Sequence, residues 1–197
     1  MGVMTAMLRR HGATLVERHG RPVAAHFGSA ASEAAVCRGA VGLAERSDRA
    51  TIEVRAAPAE VDRALAELAR LGDRAWAQRL GPGRALVRCE GDEEGACTSA
   101  MLRAQDAWVH DVSADFAALE LVGPRAEQVV EAAAIDPQAD PVTILRESGT
   151  GIELLVPRGQ GPALFNRLLE AGGPLGIACV GLDALEHLHV SEHLAGR

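Results

Sequence analysis

The chain has 197 residues, a formal net charge of −7 and 24% charged residues, which suits one large globular domain or two small ones. The acidic balance repels a phosphate backbone overall, because affinity for nucleic acid comes from a basic face that releases counterions, and no nucleic-acid partner is expected. All 20 basic residues are Arg, so a Schiff-base lysine, a pyridoxal phosphate lysine and a P-loop lysine are excluded as well. Hydrophobic residues make up 48%, aromatics only 3%, and Tyr is absent, so a core of Leu, Val, Ala and Ile is expected. No apolar run approaches the roughly 20 residues of a membrane span, and Met1 to Arg10 lack the apolar stretch of a secretory signal. Cys37, Cys89, Cys97 and Cys179 form neither a metal-type pair nor a disulfide framework. A soluble cytoplasmic protein with reduced, buried thiols is expected.

The opening stretch to Phe27 is mixed, with short strands at Thr14 to Val16 and Val23 to Ala25. Ser29 to Val41 reads as a helix capped by Ser29 or Ser32 and stopped by Gly42. From Ala50 the pattern becomes regular. Ala50 to Ala56 alternates as a strand with Ile52 and Val54 on one face. Pro58 suits the first position of a helix carrying Val61, Leu65, Leu68 and Leu71, ended by Gly72. Strands at Arg74 to Leu80 and Arg84 to Cys89 flank the Gly81-Pro82-Gly83 turn. A helix from Glu93 to Arg103 and a strand from Ala107 to Val112 complete a β-α-β-β-α-β order, the split βαβ of ferredoxin-like folds.

That order then repeats. Ala117 to Val122 is a strand, and Pro124 opens a helix through Ala126, Val129, Val130 and Ala133. Val142 to Arg146 and Ile152 to Val156 form a hairpin across Ser148-Gly149-Thr150-Gly151. A helix from Pro162 to Ala171, a strand from Leu175 to Val180 and a helix from Leu182 to Leu194 follow. The offset between Pro58 and Pro124 is repeated, to within one residue, between Leu86 and Glu153, as an internal duplication requires. The expected fold is a single α+β module of duplicated βαββαβ (ferredoxin-like) halves with flanking N- and C-terminal helices. Its segments are 1–49 (N-terminal segment and helix), 50–113 (first half), 114–181 (second half) and 182–197 (C-terminal helix).

Four stretches resemble the folate-binding domain of the glycine cleavage T-protein (aminomethyltransferase) superfamily. Ser32 to Val54, SEAAVCRGAVGLAERSDRATIEV, is similar to E-x-x-A-V-R-x-x-V-G-L-x-D-x-S, with Glu33, Gly42, Leu43 and Ser47 matching and Glu45 in place of Asp. Val109 to Val130 resembles D-x-S…L-x-L-x-G-P-x-A through Asp111, Ser113, Gly123, Pro124 and Ala126. Gly151 to Pro157, GIELLVP, resembles G-x-E-I-x-V-P, and Gly181 to Leu194 resembles the closing G-L-x-A-R-D-x-L-R-L-E helix. The resemblance implies a cavity between two halves that binds tetrahydrofolate for one-carbon transfer from methylamine-type donors. Asp111, Ser113, Glu153 and Glu186 are the cofactor-binding positions it implies here.

Several family features are missing. The G-G-x-x-D-D turn that carries the catalytic acid is replaced by GPGRALVRCEGDEEG, so no catalytic residue is assigned. The Asn that ends the next strand gives way to Cys89 or Glu90. The Y-T-G-E loop is shortened to ESGTGIE, retaining Thr150 and Gly151, and Leu185 stands where the closing Arg belongs. The length is similar to that of the sarcosine oxidase gamma subunit, a short structural relative. Two functions follow: an accessory or non-catalytic subunit in one-carbon or methylamine (sarcosine or glycine) metabolism, with an oxidase-type partner, or an active tetrahydrofolate-dependent aminomethyl or methyl transferase with a rearranged site. A homodimer with an unrelated ligand is the third.

Individual residues carry competing readings. Asp111 and Ser113 read either as polar cavity residues or as a strand-end cap, since short polar side chains bond neighbouring backbone. Alternation turns Glu153 away from Ile152 and Leu154, towards solvent. Glu186 reads as a charged surface residue or as a cavity contact. His189 to His193 spells H-x-x-E-H, a zinc-peptidase signature with Glu192 as base. Only Leu194 to Arg197 follow to supply a third ligand, so solvated helix-end histidines and no metal are expected. Cys89 has no visible base to make it a nucleophile.

Overall fold

The structure is a computed structural model and describes residues 2–103, 106–146 and 151–195. The chain opens with helix α1 (Val3–Arg10), the hairpin β1 (Thr14–Arg18) and β2 (Arg21–His26), helix α2 (Ala30–Gly39) and strand β3 (Val41–Glu45). The spacing of Met4, Met7 and Leu8 explains α1: one apolar helical face, with Met7 and Leu8 1% exposed in the core. Ser29 caps α2 by accepting from Ser32 N at 3.4 Å. The helix expected to reach Val41 ends at Gly39, and Gly42 lies inside a strand instead of stopping a helix. The cause is tertiary. A Cβ at Gly42 would lie 2.5 Å from Cys37 Sγ and within 2.9 Å of both Val180 methyls, so only Gly lets β3 approach these neighbours.

A contiguous smaller unit, Ser47–Phe116, follows. It comprises β4 (Ala50–Arg55), α3 (Pro58–Leu68), β5 (Ala75–Gly81), β6 (Arg84–Cys89), α4 (Glu94–Met101) and β7 (Trp108–Asp111). Its sheet has the order β5-β6-β4-β7 with antiparallel neighbours, the arrangement in which each helix makes a right-handed crossover between alternate strands. Ile52, Val54, Val87 and Cys89 pack with Ala64, Leu68, Cys97 and Met101 in one apolar core.

The chain then returns as β8 (Phe116–Val122), α5 (Ala126–Ala132), β9 (Thr143–Arg146), β10 (Gly151–Pro157), α6 (Gly161–Gly172), β11 (Ile177–Cys179) and α7 (Leu182–Ala195). Together with the residues up to Arg46 it makes a larger unit. Its sheet is ordered β11-β3-β8-β10-β9. Without β3, this is the strand order of the smaller unit, so the duplicated α+β architecture is present. The N-terminal β3 is inserted between the first and last strands of the second copy, parallel to β11 and antiparallel to β8. Leu43, Leu119, Leu121, Ile152 and Leu154 share one face with Phe165 and Leu168 of α6. Ala44 lies on the other face with Val23, Cys37, Val180 and Leu185. Gly123, after β8, has φ 133° and sits where a Cβ would meet the carbonyls of Cys37 and Ala40 at 2.5 Å; no other residue fits that turn. The Ser148 to Thr150 part of the expected hairpin loop lies outside the described residues.

Glu33 links three elements of this unit. Its carboxylate, 7% exposed, accepts from Phe27 N at 2.8 Å and from Gly181 N at 2.9 Å. It thereby joins α2 to the end of β2 and the start of α7.

Candidate functional site

The face of the smaller sheet opposite its helices is polar. Register sets Thr51 beside Arg88, Arg88 beside Trp76, Glu53 between Leu86 and His110, and Arg55 beside Trp108. At one end Arg88, 1% exposed, donates from Nη1 to Thr51 Oγ1 at 2.5 Å and to the Arg49 carbonyl at 3.0 Å. The Arg49 guanidinium stands 4.5 Å over the Trp76 ring and donates from Nε to Glu90 at 3.0 Å. At the other end Trp108 is stacked on His110 at 5.1 Å and carries Arg55 at 5.3 Å. Between them lies Glu53, 4% exposed, bonded by Arg55 at 3.0 Å and by Arg84. Burial alone would raise the Glu53 pKa; the two guanidiniums outweigh it and hold the carboxyl below its ordinary value. Both tryptophans of the chain therefore lie on this face with an Arg over each. An indole face attracts a cation, so each tryptophan is covered by its own guanidinium.

Asp111 and Ser113 meet at the end of β7. Asp111 Oδ1 accepts from Ser113 N at 2.8 Å and from the Ser113 hydroxyl. Ser113 Oγ, buried, accepts from Thr51 N at 2.7 Å. Each group is engaged in fastening β7 to β4, as a strand-end cap requires.

Glu153 and Glu186 belong to the larger unit. Glu153 is 1% exposed in β10, which corrects the expectation that it faces solvent. β10 is flanked by β8 and β9, and both of its faces are covered: Leu155, on the same side as Glu153, is also buried, as is the cross-strand partner Leu145. Alternation therefore separates two buried faces here. Leu119 and Leu121 share the core with Ile152 and Leu154, so Glu120 and Glu153 lie on the opposite face of the same sheet. Glu120, 5% exposed, accepts from Arg46 Nη1 at 2.8 Å. Glu186 is exposed on α7 and paired with Arg18 at 2.6 Å.

Sequence reasoning missed Arg46, Arg49, Arg88 and Glu120. One signal was available: Ile52-Glu53-Val54, Leu119-Glu120-Leu121 and Ile152-Glu153-Leu154 each place a carboxylate between two aliphatics in a strand, and all three carboxylates are buried. The thiols offer no nucleophile. Burial pushes Cys89 and Cys97 up, and Cys37 and Cys179 up to about 11. The His189, Glu192 and His193 side chains lie outside the described residues; among those described, no group of His, Cys, Asp and Glu is arranged to hold a metal. No helix among the described residues is long and apolar enough to cross a membrane.

Two sheets of matching strand order, one enlarged by an N-terminal strand, define a duplicated ferredoxin-like α+β module. It has the fold of the aminomethyltransferase T-protein. The glycine cleavage system aminomethyltransferase T from Bartonella henselae matches with a TM-score of 0.73 and 18% identity over 91% of this chain and 58% of that one. The heterotetrameric sarcosine oxidase from Corynebacterium sp. U-96, solved with pyrrole 2-carboxylate, matches with a TM-score of 0.55 and 21% identity, over 77% of this chain and 95% of the oxidase chain. The chain thus spans less than two thirds of the T-protein and nearly all of the matched oxidase chain. No protein-family model and no curated protein matches the sequence significantly, and the likeness is one of fold.

Proposed function

We propose that this chain is a folate-domain-like accessory subunit without catalysis of its own, serving a cytoplasmic enzyme of one-carbon or methylamine (sarcosine or glycine) metabolism, with an oxidase-type protein as its partner. The observation that carries this reading is the fold shared with a chain of a heterotetrameric oxidase, matched over 95% of that chain, beside a match to 58% of the transferase. The side chains support it. Asp111 and Ser113 are bonded to each other and to the β4 backbone, and Glu186 is held by Arg18. Three of the four residues that the resemblance marks for tetrahydrofolate, Asp111, Ser113 and Glu186, are thus already engaged, and the family's catalytic turn is missing.

The test titrates the purified protein with tetrahydrofolate, following Trp76 and Trp108 fluorescence and calorimetric heat, and measures its mass with and without a co-expressed oxidase large subunit. Absence of micromolar binding and a stable mixed complex are expected. Micromolar binding that Asp111→Ala weakens refutes the accessory reading in favour of an active tetrahydrofolate-dependent transferase. A lone monomer beside the co-expressed subunit refutes the partnership.

A further inference from the structure

The larger unit holds a solvent-open cavity of about 240 Å³ where the chain enters β9 and the first turns of α6 pass over it. Gln160, Ala163, Leu164 and Arg167 recur at helical spacing along one side, and Val142 and Val156 close the floor. The floor is apolar and buried: Val142, Val156 and Leu164 are 8%, 1% and 6% exposed. The rim carries opposite charges side by side, Arg167 Nη1 lying 3.1 Å from Asp140 Oδ2.

That rim is fixed in place. Arg167 donates from Nε to the Ala133 carbonyl at 2.7 Å and from Nη2 to the Ala134 carbonyl at 2.6 Å. Ala134 has φ 49°, so Arg167 holds a turn that costs a non-glycine residue energy. A guanidinium has five N–H donors; the three hydrogen bonds leave two for a ligand. Both hydrogen bonds described for Asp140 fall on Oδ2, from Arg167 and from Asp136 N at 3.2 Å, which leaves Oδ1 as an acceptor.

Size narrows the occupant. A void of about 150 Å³ takes a benzene-sized molecule, whereas drug-sized ligands occupy about 300 Å³ or more. The cavity therefore matches a ligand of roughly amino-acid size. We propose that it binds a small aliphatic α-amino acid as its zwitterion, with the carboxylate on Arg167 and Gln160, the ammonium on Asp140, and the side chain over Val142, Val156 and Leu164. The partner groups are half exposed, so affinity is expected in the millimolar range. The proposal does not rest on the accessory-subunit reading.

The experiment titrates isotopically labelled protein with L-valine, 3-methylbutanoate and 2-methylpropan-1-amine, following the backbone amide signals of Gln160 to Arg167. L-valine is expected to shift them saturably. The acid lacks the ammonium and the amine lacks the carboxylate, so each is expected to bind about tenfold or more weakly. Two exposed positions give variants that keep the fold. Gln160→Glu places a second carboxylate at the rim and is expected to weaken L-valine several-fold, and Ala163→Phe fills the cavity and is expected to abolish the shifts. Absence of saturable shifts with L-valine, equal affinity for either analogue, or unchanged binding in both variants overturns the proposal.

Discussion

Replacing Glu33 tests whether one buried carboxylate holds α2, β2 and α7 together. Its two oxygens serve different donors: Oε1 accepts from Phe27 N and Oε2 from Gly181 N. In Glu33→Ala both amides lose their partner. The Gly181 amide is buried and bears a desolvation cost of about 1–3 kcal/mol, while the part-buried Phe27 amide recovers water at about 0.5–1 kcal/mol. Relief of the buried charge offsets some of this, so the net loss is about 2–3 kcal/mol. Glu33→Gln keeps one acceptor oxygen but turns an NH2 towards the second amide, and is expected to lose about 1–2 kcal/mol. Urea unfolding should be followed by far-ultraviolet circular dichroism, because Trp76 and Trp108 both lie in the smaller unit and report on it instead. Hydrogen exchange at Gly181 N–H should accelerate in both variants. Glu33→Gln as stable as the parent, or Glu33→Ala losing less than about 1 kcal/mol, refutes the bridging role.

Three further outcomes follow from the geometry. Gly42→Ala forces a methyl against Cys37 Sγ and Val180 and is expected to cost about 1–3 kcal/mol or more; adding Cys37→Ala should restore part of the loss, and chemical denaturation of the two variants decides it. Because Glu53 titrates below its ordinary value of 4.5, its stabilisation is complete above that pH and is lost as pH falls through the depressed value. The stability difference between the parent and Glu53→Gln, read by Trp fluorescence, should therefore be constant at neutral pH and close in acid. With Cys37 and Cys179 at about 11, only about one thiol in a thousand is ionised at mildly alkaline pH. Iodoacetamide should label the native protein slowly and the urea-unfolded protein fast; Cys179 is half-buried where Cys37 is buried, and fast native labelling of Cys37 contradicts its burial.

The fold was legible where local chemistry and tertiary structure agree. Pro58 opens α3 and Arg84–Cys89 is β6 as the pattern predicts, because proline, glycine and strand alternation act within a few residues. β3 was not legible, since Val41 to Glu45 continues the small-residue composition of α2 and its strand state is fixed by β8 and β11, far along the chain. α1 had a readable signal in Met4, Met7 and Leu8, hidden by its brevity. The candidate site was harder. The Arg46–Glu120 pair spans 74 residues, and a mid-strand glutamate reads as exposed unless both faces of its sheet are known to be covered. Asp111 and Ser113 were legible as a cap because their bonds are local.

The insertion of β3 has a consequence for how the polypeptide is made. Everything from Ser47 to Phe116 is one uninterrupted stretch, so on the ribosome that part has all its own residues available as soon as it emerges. β3 must wait, because its neighbours β8 and β11 are synthesised only later, and until then it is an unpaired apolar ribbon open to the wrong partners. A single β-turn from Arg46 to Ala117, whose flanking strands already touch through Arg46 N and the Ala118 carbonyl at 2.9 Å, would remove the wait for β8 together with the inserted stretch and leave only the wait for β11.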